Sequence, residues 1–306
     1  MTPEISIIIV SYNSGNSVVE CLKSINDQEI HNSEIIIIDN NSRDNTISEI
    51  ENYIKYKNGY QFLLNKDNLG FAKACNQAAN LAKGIYLFFI NPDTFFQDNF
   101  FNKIVIEFNN NLNMGVAGGT LYYPDGRPQR SGYKFHTLWN RVGVLTRLVD
   151  FLPRNTLTEF LFNYYPHDKK PINVDWILGA NLVIRKNLFD RIGGFNEDYF
   201  MYMEDTELCW EAKKKGYQIS VFPFPVFHHF GESSKSNLER TIPEGQRSCN
   251  IFFRKNYSFS RYIALKTIQK SSSFIKMVLL ILFIPFRNNN KLYISTIKGY
   301  FNSLFI

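Results

Sequence analysis

In the amino-terminal third of this 306-residue sequence, each of four short apolar runs ends in polar residues with chemical potential. Ser11-Tyr12-Asn13-Ser14 follows the first. Small and amide side chains there can meet a base or a ribose, and the same residues are ordinary turn formers. Asp39 closes the second run, ahead of Asn40-Asn41-Ser42-Arg43-Asp44. Its carboxylate can accept from a base amide or a sugar hydroxyl, or it can belong to an Asx turn before a helix capped by Asp44. After the third run comes Lys66-Asp67-Asn68-Leu69-Gly70-Phe71. Gly70 permits close backbone approach to a ligand, or a plain turn into a helix. Asn91-Pro92-Asp93-Thr94 follows the fourth. A lone carboxylate there suits a divalent cation, because hard cations commonly take one or two carboxylates plus phosphates. It equally suits the start of a helix near Gln97. Further on, Glu204 and Asp205 are adjacent acids at a predicted helix start. Neighbours on a helix point apart, so one can face a cleft while the other caps or orients it; two acids also simply suit a helix N-terminus.

These positions require a scaffold. Ile5–Val10, Glu34–Asp39, Tyr60–Leu64 and Ile85–Ile90 are continuous apolar runs, which predict strands buried on both faces. Between them Ser17–Gln28, Asn45–Lys57 and Gly70–Lys83 have helical length, the last Ala-rich and stopped at Gly84. The alternation predicts right-handed crossovers and an open α/β sheet with ligands at the carboxyl ends of its strands. The polar clusters stand at those ends. In the second half, Val116–Tyr122, a turn at Asp125-Gly126 and Gln129–Phe135 predict a hairpin. Ala180–Ile184 and Ile219–Phe222 predict strands, and Asp205–Lys215 a helix ended by Gly216. Residues 137–170 read as helix broken by Pro153 and Pro166, with Arg141, Arg147 and Arg154 among apolar positions.

Taken in order, SIIIVSYNS, IIIIDNNSRDNT, NLGFAKACNQA and FFINPDT closely resemble the family 2 glycosyltransferases, in particular their rhamnosyltransferase-like branch. The resemblance spans residues 5–235 and continues through Trp176-Ile177-Leu178-Gly179-Ala180-Asn181. The run GGFNEDYFMYMEDTELCW (193–210) is its strongest segment, and His228-His229-Phe230-Gly231-Glu232-Ser233-Ser234 its last. It implies a GT-A type nucleotide-sugar-binding open sheet flanked by helices. Ser11, Tyr12, Asn13, Asp39, Asn68, Gly70, Phe71 and Asn91 would then line the donor nucleotide, and Gly179 would lie beside the donor sugar and acceptor. Asp93 would stand where the family's Asp-x-Asp motif binds the metal, Mg²⁺ or Mn²⁺. Asn91 replaces the first acid of that motif, which leaves one negative charge fewer on the cation and weak metal affinity without donor. His228 or His229 would be the second metal ligand, and His228 matches better, since Gly231 and Ser233 then fall at the usual offsets. Asp205 would be the catalytic base and Glu204 its support. Sugar transfer to an alcohol requires deprotonating the acceptor and neutralising the departing diphosphate. One carboxylate suffices for the first in a direct displacement with inversion.

Composition narrows the class. With 44% hydrophobic and 16% aromatic residues the chain can fill a sizeable core. Cys21, Cys75, Cys209 and Cys249 have no CxxC spacing, which excludes a cysteine zinc site and a disulfide scaffold and fits a reducing compartment. Met1-Thr2-Pro3-Glu4 and the strand-length run after it predict no signal peptide. The charge is uneven: residues 1–244 hold all 28 acids against 24 Lys and Arg, whereas residues 245–306 hold 10 Lys and Arg and no acid. The expected division is therefore a catalytic domain, 1–244, and a basic amphipathic helical tail, 245–306. FIKMVLLILFIPF (274–286) is too short to span a bilayer, and either lies in the interface of an anionic membrane or packs as a core helix.

The resemblance and the tail together imply inverting transfer of a hexose, rhamnose from dTDP-rhamnose, to a saccharide acceptor. That acceptor would be a lipid-linked glycan at the cytoplasmic membrane face, in bacterial surface polysaccharide assembly. A noncatalytic scaffolding protein of the same fold is the alternative, against which Asp39, Asp93, Asp205 and His228 all stand intact. A nucleic-acid partner for the tail is disfavoured, because the apolar run does not resemble a solvated phosphate-binding surface.

Overall fold

The computed structural model describes residues 3–28, 30, 32–146, 170–229, 237–283 and 290–306. β1 (Ile5–Ser11) is buried at every position. Ile5, Ile7 and Ile9 pack into one apolar cluster, with Leu22 and Phe101; Ile8 and Val10 pack into another, with Ala78 and Leu208. A strand covered on both faces needs apolar residues on both, hence the unbroken run. β2 (Ser33–Asp39), β3 (Tyr60–Leu64) and β4 (Tyr86–Ile90) join it in parallel in the order β3-β2-β1-β4. α1 (Ser17–Asn26), α2 (Thr46–Ile54) and α3 (Phe71–Leu81) make the crossovers. These elements match the expected ones within a few residues at each end.

Beyond β4 the sheet becomes mixed. β10 (Asn181–Arg185) runs antiparallel between β4 and β6 (Met114–Tyr122), and β11 (Gln218–His228) lies parallel to β6. β5 (Thr94–Phe96) and β8 (Ile172–Asn173) pair antiparallel with β11. α4 (Phe100–Asn110), α6 (Lys186–Ile192) and α7 (Glu204–Lys214) complete the layers.

Two expectations change. The turn at Asp125-Gly126 forms, with Gly126 at φ 83, but the expected hairpin is only an isolated bridge, Tyr122 to Pro128. The chain then turns away, and β7 (Gly132–Tyr133) pairs with β9 (Trp176–Ile177), where the Tyr133 and Trp176 rings stack at 4.4 Å. Gly84 does not end α3, whose C-cap is Ala82. It is required by close approach: a Cβ on Gly84 would lie 2.6 Å from the Ser6 backbone nitrogen. Gly84→Ala should therefore lower stability by about 1–3 kcal/mol in denaturant unfolding, as overpacking does. An unchanged midpoint would show that β1 yields without cost.

The chain clusters into two units. The first holds Met1–Phe135, Tyr164–Glu197 and Glu204–Phe230; the second holds His136–Asn163, Asp198–Met203 and Gly231–Ile306. The expected boundary at 245 marks a change of charge and not of fold, because α8 (Leu238–Asn256) runs through it. The second unit is otherwise built of α5 (Leu138–Thr146), α9 (Phe259–Phe283) and α10 (Asn290–Ser303). The positions Arg147, Pro153, Arg154, Pro166, Pro285 and Arg287 lie outside the described residues.

Within that unit the bundle of α8, α9 and α10 has polar residues inside. Gln246 Nε2 donates to Ser273 Oγ at 2.8 Å, Ser303 Oγ donates to Ser273 Oγ at 2.9 Å, and Gln269 is buried. Gly299 lets α10 approach α8 closely, since a Cβ there would meet Leu238 O. The apolar side chains Phe274, Ile275, Leu279, Leu282, Ile294 and Phe301 are exposed.

Candidate active site

The carboxyl ends of β1 and β2 are tied together through Asp39. Its Oδ2 accepts from Ser11 Oγ at 2.9 Å and Ser42 Oγ at 2.6 Å, and its Oδ1 from Ser42 N at 2.8 Å. Asn13, at φ 49, completes the link: its N donates to Ser42 Oγ, and its Oδ1 accepts from Arg43 N, each at 2.8 Å. Asparagine tolerates this left-handed backbone better than most residues. Ser11, Asn13 and Asp39 are thus brought together, with Ser11 and Asp39 fully buried and Tyr12 exposed. Asp44 bonds Thr46 N at 3.0 Å as an Asx turn into α2, although the N-cap position is Asn45.

At the start of α3, Asn68 Oδ1 accepts from Gly70 N at 3.0 Å, and Gly70 O accepts from Asn40 Nδ2 at 3.1 Å. Gly70 has φ 87, the left-handed region that favours glycine. Phe71 follows, its ring edge-on to Phe195 at 6.2 Å.

Asp93 is the last residue before β5, and His228 the last of β11. Antiparallel pairing sets Thr94 opposite His228, and His229 N donates to Asp93 O at 3.1 Å. His228 Nε2 lies 3.3 Å from Asp93 Oδ1. That oxygen is buried and receives no hydrogen bond among the described residues. A buried carboxylate oxygen beside an imidazole nitrogen is a fit partial donor set for a divalent cation, whose remaining ligands would be diphosphate oxygens and water. Among the described residues no group of three His, Cys, Asp or Glu gathers to hold a metal. Phe230 to Ser234, the rest of the histidine motif, lie outside the described residues.

Asp205 and the Asn91–Thr94 turn are held by neighbouring residues of one segment. Gly179 N donates to Asp205 Oδ2 at 2.9 Å. Ala180 O accepts from Asn91 N at 3.1 Å and from Thr94 Oγ1 at 3.3 Å. The open side of Gly179 faces Asp205 and Phe71, each 3.7 Å from where a Cβ would stand. Thr206 adds a bond from its N to Asp205 Oδ1 at 2.6 Å. Burial pushes the Asp205 carboxyl up to about 6, against the opposing pull of the Gly179 and Thr206 donors. A carboxylate so placed is ionised near neutral pH yet basic enough to accept a proton.

Glu204 is buried too, but it lies towards α3, where its charge, after burial itself, helps hold the Cys75 thiol above its ordinary range. The two adjacent acids diverge as helix geometry demands. Two residues at the site carry no signal of their own in sequence: Thr206, and Gln129, whose Oε1 lies 3.3 Å from His228 Nδ1.

Residues 6–193 match the sequence profile of glycosyl transferase family 2. The fold is GT-A, as in the mannosyltransferase PcManGT of Pyrobaculum calidifontis, solved with GDP-Man and Mn²⁺ (TM-score 0.57, 13% identity, 99% of this chain and 88% of that one). GalNAc-T7, solved with UDP, GalNAc and Mn²⁺, is similar too (TM-score 0.58, 18% identity, 73% of this chain and 42% of that one). The chain belongs to glycosyl transferase family 2. Its relatives include an N-acetylglucosaminyl-diphospho-decaprenol L-rhamnosyltransferase of Mycobacterium tuberculosis, 26% identical over 84% of this chain and 86% of that protein. The rhamnosyltransferase WbbL of Escherichia coli is 30% identical over 33% of this chain and 35% of its own length.

Proposed function

We propose that the protein transfers rhamnose from dTDP-rhamnose, with inversion, to a lipid-linked saccharide in bacterial surface polysaccharide assembly, at the inner face of the cell membrane. The observation that carries the reaction type is the Gly179-Ala180 segment, which bonds a single buried carboxylate on one side and the Asn91–Thr94 turn on the other. Asp205 takes the proton of the acceptor hydroxyl as that oxygen attacks the anomeric carbon. Glu204 supports the start of α7. The loops holding Ser11, Tyr12, Asn13, Asp39, Asn68, Gly70, Phe71 and Asn91 seat the nucleotide; Gly179 sits beside the sugar. Asp93 and His228 would hold Mg²⁺ or Mn²⁺, which would supply charge compensation for the departing diphosphate.

The rhamnose donor and lipid-diphosphate acceptor are supported by the mycobacterial relative's name. A panel of dTDP-, UDP- and GDP-sugars assayed for nucleoside diphosphate release tests the donor. The expected result is release from dTDP-rhamnose well above the others; preference for a GDP- or UDP-sugar overturns the assignment.

Membrane docking is supported by the apolar side chains that α9 and α10 leave exposed, among them Phe274, Ile275, Leu279, Leu282, Ile294 and Phe301, which suit insertion of an amphipathic surface into the interface. No helix among the described residues is long and apolar enough to cross a membrane. The ten cations of residues 245–306 complement anionic headgroups, each contributing about 1 kcal/mol near the surface. Replacing Lys270, Lys276, Arg287 and Lys291 with Gln should reduce retention on anionic vesicles while donor hydrolysis in solution persists. Equal wild-type binding to neutral and anionic vesicles would reject electrostatic recruitment.

A further inference from the structure

Gln129 follows the turn after β6 and is buried. Its amide nitrogen donates to two main-chain carbonyls, Tyr122 O at 3.0 Å and His228 O. Carbonyl oxygens only accept, so the NH₂ end of the amide must face them, and the orientation of the group is fixed. Oε1 is thereby turned to His228 Nδ1, 3.3 Å away. An amide oxygen also only accepts, so Nδ1 must carry the hydrogen. In a neutral imidazole the other nitrogen, Nε2, then presents its lone pair. Nε2 faces Asp93 Oδ1 across 3.3 Å, and that oxygen receives no hydrogen bond among the described residues. Two electron-rich atoms facing each other at that separation suit a cation between or beside them better than they suit each other.

We propose that Gln129 is a positioning residue: it sets His228 as the Nδ1–H tautomer and so offers Nε2 to the cation of the donor. The proposal rests on the reading that Asp93 and His228 are the protein's metal ligands. Without the Gln129 oxygen, His228 takes the Nε2–H form and donates to Asp93 Oδ1, and this bond must be broken before a cation can enter. The tie is made across 99 residues, from the turn after β6 to the end of β11. The partner that orients a metal-ligating imidazole commonly governs metal affinity by 10–100-fold.

Gln129→Met removes the acceptor at nearly constant size, whereas Gln129→Glu keeps an oxygen opposite Nδ1. Both give up at least one bond to the Tyr122 and His228 carbonyls, so a merely structural role would treat them alike. Ring ¹⁵N shifts of the metal-free protein above pH 8, with the His228 signals assigned by their loss in His228→Ala, report the tautomer directly. Mn²⁺ titrated by EPR in the presence of dTDP or UDP reports affinity. The expected result is Nδ1–H in the wild type and in Gln129→Glu. Gln129→Met should show Nε2–H, with Mn²⁺ bound about 10–100-fold more weakly. An unchanged tautomer in Gln129→Met, with Mn²⁺ still bound as in the wild type, overturns the role of Gln129 and leaves the metal site standing. A wild type that binds no Mn²⁺ with either nucleotide overturns the metal reading, and the positioning role with it.

Discussion

Asp205→Asn should lower turnover by about 10²–10⁴-fold while leaving donor binding nearly intact. The amide preserves size but cannot take the acceptor's proton, and its NH₂ must face one of the donors, Gly179 N or Thr206 N, that now bond the carboxylate. Burial pushes Asp205 up to about 6, so wild-type kcat/KM should fall tenfold per pH unit below that value and level off above it. The same shift acts on stability with the opposite sense. A folded-state value raised above the ordinary 3.8 means that the protonated form is the favoured buried one. Its contribution is fully present below about pH 3.8 and is lost as the pH rises through about 6. The protein therefore gives up some stability in the range where Asp205 is ionised, the state that the proposed base role requires. Glu204→Gln is the necessary comparison. Loss of transfer in Glu204→Gln with retention in Asp205→Asn would reverse the two roles.

Asp93→Ala should weaken donor binding as well as turnover if, as proposed, the carboxylate and the His228 imidazole that faces it hold the cation of the donor. Mg²⁺ or Mn²⁺ should promote transfer, and EDTA should stop it. Loss of a cation that neutralises a leaving diphosphate removes several kcal/mol of stabilisation, on the order of 10²-fold or more in rate. Full activity of the metal-stripped protein would remove the cation from the mechanism.

The amino-terminal half of the fold was legible because its strands are buried on both faces. Continuous runs such as Ile5–Val10 mark such strands, and parallel order places their polar ends on one side of the sheet. The second half was less legible, since β7 finds its partner in β9, more than 40 residues on, and no local pattern announces so distant a pairing. Gly84 shows the same limit: a glycine after a helix reads as a cap, while its reason is the Ser6 backbone beside it. Type and motif single out Asp93, Asp205 and His228 in the sequence as candidates, but their environments were not legible there. The bond from Gly179 to Asp205 and the grip of Gln129 on His228 are long-range contacts between segments that neither predicts. The charge break at residue 245 likewise marked where acids stop, and α8 passes through it undisturbed.

The proposed reaction is direct displacement at the anomeric carbon by an acceptor that one carboxylate deprotonates. NMR of the anomeric proton during transfer from the preferred nucleotide sugar, with Mn²⁺ or Mg²⁺ present, tests it most directly. The expected first-formed glycoside has the configuration opposite to the donor's and disappears in Asp205→Asn. A first-formed product that retains the donor's configuration would contradict it.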